Sequence, residues 1–168
     1  MKLFLILFLF PIFVFSQDNF QAVDGNVVWQ RVYKDSVSSQ QYIKHLNTTL
    51  SQEVPCKLVA DYTSGQTTYM DILEDKSSLS AFYKKAVKFS YVVDFQEGKY
   101  RVTVKNIAFE GIEVSIYGVN DSSDTYLDAS LIRSRDGELR KNNMAQHILQ
   151  RLDTSFTDLF AYKDQAGW

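Results

Sequence analysis

The stretch KFSYVVDFQEGKYRVTVKNIAFEG, Lys88 to Gly111, admits few structures. A tight turn on Glu97-Gly98 sets Phe95 opposite Tyr100, Val93 opposite Val102 and Tyr91 opposite Val104. The same register sets Gln96 against Lys99, Asp94 against Arg101, Val92 against Thr103 and Ser90 against Lys105. Successive side chains point to opposite faces of a strand, so aromatic and branched residues sort to one face and mostly polar residues to the other. A slip of one residue would exchange the faces of one strand and lose that sorting. Gly98 supplies the positive φ that a short hairpin turn needs. The Asp94–Arg101 pair adds roughly 0.2–1 kcal/mol. The hairpin therefore belongs to an antiparallel sheet with one wet face and one face that the rest of the chain must cover.

The flanking segments supply candidates for that cover. NVVWQRVY, Asn26–Tyr33, is rich in strand formers, with Val27, Trp29 and Arg31 on one face. VSSQQYIKHL then reads as a helix start: Ser38 caps it, Gln41 completes a capping box, and Val37 and Tyr42 form a hydrophobic staple. Tyr42, Ile43, Leu46 and Leu50 make its apolar stripe. CKLVADYTSGQTTYMDIL reads as two strands around a turn at Ser64-Gly65, and Gln17–Gly25 as a polar lead-in. Leu79–Val87 fits a helix by spacing, but it is short and runs straight into the hairpin. Alternation of Ile112, Val114 and Ile116 predicts another strand, followed by a polar loop over Asn120–Asp124. Ala145, Ile148, Leu149, Leu152, Phe156, Leu159 and Phe160 recur at helical spacing, which predicts a helix over 143–162 with Asn143 as its cap. Gln146, Gln150, Arg151, Asp153 and Asp158 fall on its opposite face. The predicted architecture is a two-layer α+β domain, its antiparallel sheet covered on one face by helices.

The first residues predict export. In MKLFLILFLFPIFVFSQ, Lys2 is a positive n-region, Leu3–Phe15 is an apolar run broken by Pro11, and Val14 and Ser16 suit the −3 and −1 positions of a cleavage site. Residues 1–16 are read as a signal peptide too short to span a membrane stably, and 17–168 as a single α+β domain without a transmembrane span. The periplasm and the extracellular medium are the destinations that follow. A chain of this length buries about 68–70% of its unfolded surface without staples. Cys56 is its only cysteine, which excludes an internal disulfide. The formal charge is −2, one unit more negative once Lys2 is removed, and no basic cluster occurs. That balance argues against nucleic acid and anionic membranes as partners.

GNVVWQRVY, the capped helix and YVVDFQEGKYRVTVKNI resemble bacterial exported proteins grouped as domain of unknown function 4468, over a core of about 25–111. The most specific element is EGKYRVTVKNI, Glu97–Ile107. The resemblance implies a TBP-like fold, a strand at Leu79–Phe82 and a turn at EDKSS before it. It carries no functional residues, and a fold name shared with a DNA-binding protein implies no DNA binding.

Candidate chemistry is sparse. A thiol nucleophile and its base could be drawn only from Cys56, His45 and His147, and both histidines read as solvated helix positions. NDSSDTYLD offers Asp121, Asp124 and Asp128, without the glycine and spacing of a calcium loop. Asn47-Thr48-Thr49 and Asn120-Asp121-Ser122 match the glycosylation sequon, a short pattern given no weight here. No phosphate-cradling loop, zinc spacing or serine elbow occurs, so no catalytic, cofactor-binding or metal residue is predicted and no cofactor is implied. The expected function is that of a non-enzymatic binding or interaction module of the cell envelope. The alternative is a carrier of a small apolar ligand, since the ten tyrosines and seven phenylalanines beyond residue 16 could line a cavity between sheet and helix.

Overall fold

The computed structural model describes residues 19–111, 114–116, 119–121 and 123–163. The expected leader, residues 1–16, lies outside them, as does Ser122 of the second sequon. The elements in chain order are β1 (Phe20–Val23), β2 (Asn26–Tyr33), α1 (Ser39–Thr49), β3 (Tyr62–Gln66), β4 (Val87–Gln96) and β5 (Lys99–Phe109). There follow β6 (Val114–Ile116), β7 (Val119–Asp121), β8 (Thr125–Tyr126), the short α2 (Leu127–Leu131) and α3 (Asn143–Phe160). Every strand pairing is antiparallel, in the order β1-β2-β5-β4-β3, with β8 added beside β5 and β6-β7 as a separate ribbon. Among the described residues no helix is long and apolar enough to cross a membrane.

The β4–β5 hairpin forms in the predicted register from Gln96↔Lys99 to Ser90↔Lys105. Beyond it the register shifts by one, because β5 sets Asn106 and Ile107 against the single residue Phe89. Asn106 takes a positive φ of 55°, a conformation its short polar side chain tolerates. This bulge resets the alternation: Lys105 and Asn106 are both exposed, and Ile107, Ala108 and Phe109 are all buried.

The apolar face is covered by α1 and α3. Phe89 and Phe156 approach to 5.0 Å between ring centroids, Trp29 and Phe156 to 5.5 Å, and Tyr91 and Phe160 to 5.8 Å. These rings fill the space between the layers. The C-terminus of α3 is tied down by phenols: Tyr42 Oη and Tyr100 Oη donate to the Phe160 carbonyl at 2.7 and 3.0 Å. The Tyr162 N–H donates to Tyr100 Oη at 3.0 Å. Carbonyls of a last helical turn have no intrahelical partner, and here side chains from α1 and β5 meet one of them.

Ser38 and Gln41 form the predicted capping box of α1, and Val37 packs against the core. Several expectations are corrected. Phe20–Val23 is a strand and not a lead-in, paired with β2 across a turn in which Asp24 and Gly25 both take positive φ. Ser64-Gly65 lies inside β3 and not at a turn. Leu79–Phe82 is no strand: Leu79 sits in a bend and Ala81–Lys84 is a 3-10 turn that buries Tyr83 against Phe109. Asn120 and Asp121 belong to β7 and not to a loop. The α3 cap is Asn142, one residue early, its side chain accepting from the Ala145 N–H at 2.8 Å.

Candidate functional site

The sheet ends at β3, and beside this edge strand a segment of chain from Ser51 to Lys57 runs in the opposite direction, tied at both ends. The Thr68 N–H donates to the Ser51 carbonyl at 2.8 Å, and Thr63 Oγ1 donates to the Lys57 carbonyl at 2.8 Å. The gap between is a solvent-open cleft of about 650 Å³. Val54, Pro55 and Val59 form one wall, the β3 backbone over Ser64–Gln66 forms the other, and Cys56 lies between. Val54 is 72% and Val59 52% exposed, so the apolar wall faces water. Volumes of this order are usual for binding sites.

The segment is shaped by a clasp that starts from α1. Asn47 Oδ1 accepts from the Cys56 N–H and from Gln52 Nε2, both at 2.8 Å, and its Nδ2 donates to the Cys56 carbonyl at 3.1 Å. Tyr91, on the neighbouring strand, reaches across β3 and donates its hydroxyl to Gln52 Oε1 at 2.8 Å. It can cross there because Gly65 stands directly opposite. A Cβ on Gly65 would lie 2.5 Å from Tyr91 Oη. Burial, with the Cys56 thiol alongside, pushes the Tyr91 phenol well above its ordinary value, so it remains a neutral donor.

The residues singled out for chemistry do not converge. Cys56 is buried beside Tyr91 and bonds to neither histidine. His147 is exposed on α3, as expected. His45 is half-buried and not solvated: its ring lies 5.8 Å from that of Tyr42 and 5.6 Å from that of Tyr162, with Nδ1 3.5 Å from Thr49 Oγ1. The three aspartates have separate positions. Asp121 lies in β7, Asp124 pairs with Lys88, and Asp128 accepts the Val27 N–H at 2.6 Å. Lys88, which also lies 4.7 Å from the Tyr69 ring centroid, holds the Asp124 carboxyl below the usual carboxylate range. Among the described residues no cluster of His, Cys, Asp or Glu could hold a metal ion.

The residues that build the cleft are ones the sequence reading passed over. By sequence Asn47 is no more than a sequon, yet its amide makes three hydrogen bonds to Gln52 and Cys56. Gly65 reads from the sequence as part of a turn. An isolated glycine inside a strand also signals close approach of a neighbour.

No family model and no curated protein matches this sequence. Two solved structures are similar. One is described as a DUF4468 family protein from Bacteroides ovatus, with a TM-score of 0.40 and 13% identity over 86% of this chain and 92% of that one. The other is described as a TBP-like protein from Parabacteroides distasonis, with a TM-score of 0.42 and 11% identity over 82% of this chain and 92% of that one. These descriptions match the family and the fold name expected from the sequence.

Proposed function

We propose that this protein is an exported, non-enzymatic binding module and that its partner binds in the cleft beside β3. The observation that carries the reading is the cleft itself: an exposed apolar wall facing the backbone of a strand that ends the sheet. Cys56, the thiol of the cleft, hydrogen-bonds to neither His45 nor His147 among the described residues, whereas thiol catalysis needs a base in reach. The apolar run ahead of Gln17 supports export and an envelope or extracellular setting. A ligand carrier would hold its cargo between sheet and helix, where Trp29, Phe89, Phe156 and Phe160 already meet.

A photo-crosslinking residue placed in the native host tests this. At Val59 it should capture one protein identifiable by mass spectrometry, and at Gln150 on the exposed side of α3 it should not. Equal adducts at both positions, or none at Val59, would remove the cleft as the binding site. The N-terminus of the mature protein should be Gln17, and a chain still beginning at Met1 would remove export.

A further inference from the structure

We propose that the cleft takes an extended segment of a partner polypeptide, which adds to the free edge of β3 as a short further strand; this rests on the cleft being the binding site. The register fixes which backbone groups are free. The Phe95 N–H donates to the Asp61 carbonyl at 2.8 Å, and the Thr67 N–H donates to the Phe89 carbonyl at 2.9 Å. Thr63 lies opposite Val93 and Gly65 opposite Tyr91 in the same register. Hydrogen-bonded pairs alternate along an antiparallel ladder, so Thr63 and Gly65 turn their polar groups toward β4. Tyr62, Ser64 and Gln66 turn theirs outward.

The outward groups at the two ends are occupied. Tyr62 and Val59 exchange N–H···O bonds at 3.1 and 2.8 Å, and just past Gln66 the Thr68 N–H reaches Ser51. Between these closures, the N–H and C=O of Ser64 and of Gln66 have no partner among the described residues. They form two donor–acceptor sets about 7 Å apart along the strand. A small apolar molecule cannot answer that repeat. An extended backbone carries the same repeat, and its alternate side chains can reach the wall of Val54 and Val59.

Charge and shape narrow the occupant further. Lys57 stands at the Thr63 end of the cleft and Glu53 toward the Thr68 end, and neither forms an ion pair among the described residues. A segment with an acidic residue near Lys57 and a basic one near Glu53 complements both. A second copy of this chain fits poorly, because each β3 edge has its own Ser51–Lys57 segment alongside, and two such segments would collide before the edges met.

The test selects a phage-displayed library of random peptides on the wild-type protein. Enriched peptides are then synthesised with a single backbone N-methyl at each position in turn. Binding should weaken at every second position, by roughly five- to tenfold for each lost hydrogen bond. Ser64→Pro removes an outward N–H while leaving the β4 ladder intact, and proline is tolerated on an edge strand in that orientation. This variant should keep the wild-type melt and lose about tenfold or more in peptide affinity. Should it fail to fold, the N-methyl scan on the wild-type protein decides alone. N-methylation tolerated throughout, or wild-type affinity in a folded Ser64→Pro, overturns the proposal. So does self-association of the wild type in sedimentation that Ser64→Pro abolishes, which would make a second copy the occupant. If no peptide is enriched but Val54→Asp loses the partner crosslinked at Val59, strand addition falls and the cleft stands. If Val54→Asp keeps that partner, the cleft itself falls.

Discussion

Tyr91 lies across Gly65, its hydroxyl passing where a Cβ on that glycine would be, 2.5 Å away. The crossing lets β4 hold Gln52 and so shapes the cleft on the far side of β3. Gly65→Ala should displace the Tyr91 ring and cost about 1–3 kcal/mol, typical of overpacking a filled site. Tyr91→Phe in the wild-type background should cost about 1 kcal/mol for the lost bond to Gln52. Denaturant midpoints of the two variants check this. A neutral Gly65→Ala would mean that the edge strand gives way without resistance.

The two faces of the β4–β5 hairpin should respond oppositely to charge. Val102 is fully buried, so Val102→Asp places an unpaired carboxylate in the core, and the variant should fail to fold at ordinary temperature. Asp94 and Arg101 pair on the open face at 2.8 Å, with side chains 37% and 51% exposed. Asp94→Asn should therefore cost under about 1 kcal/mol. Thermal melts separate the cases, and the reverse ranking would mean that the polar face is the buried one.

This hairpin was legible because one constraint, two-residue alternation, settles turn, register and faces together. Its bulge was not: Asn106 is the residue of KNIAF that best tolerates positive φ, but a lone Asn inside a strand pattern does not show that the chain uses it so. The two long helices were legible for the same kind of reason, α1 from its capping box and α3 from its long stripe. The Leu79–Lys84 region failed because its helical spacing yields only the 3-10 turn Ala81–Lys84, with Tyr83 buried against Phe109, a neighbour distant in sequence. The cleft was hidden more deeply. Its walls depend on Asn47, Gln52 and Tyr91 meeting around a glycine, contacts between segments that no local pattern foretells.

Asp153 illustrates the same gap on α3. It falls on the polar side of the helical pattern, yet its Oδ1 accepts from Trp29 Nε1 at 2.7 Å and from Asn19 Nδ2 at 2.6 Å. The indole N–H of the fully buried Trp29 has no other partner among the described residues. Asp153→Ala should leave that donor unmet and cost about 1–3 kcal/mol, more than any exposed carboxylate of α3. Asp158→Ala, at an exposed position of the same helix, is the control and should stay within about 0.5 kcal/mol of wild type. Equal melts for the two variants would mean that the bond contributes nothing.

The last prediction concerns acid. His45 is packed against Tyr42 and Tyr162, its Nε2 is buried near the Ala161 carbonyl without a full hydrogen bond, and no carboxylate among the described residues pairs with it. Burial first, and then the Lys163 ammonium, lowers its pKa below the ordinary 6.5. The unfolded chain therefore takes up the proton before the folded one does. Above pH 6.5 both states hold a neutral imidazole and this group contributes no pH dependence. As pH falls below 6.5 the unfolded state is favoured progressively, until the pH reaches the lowered value of the folded state and the loss levels off. His45→Gln removes the titrating group. Its melting temperature should decline less than that of wild type as the pH is lowered from 6.5, the curves separating well before the carboxylates begin to titrate. Parallel curves for the two proteins would show that His45 protonates as freely in the folded state as in the unfolded one.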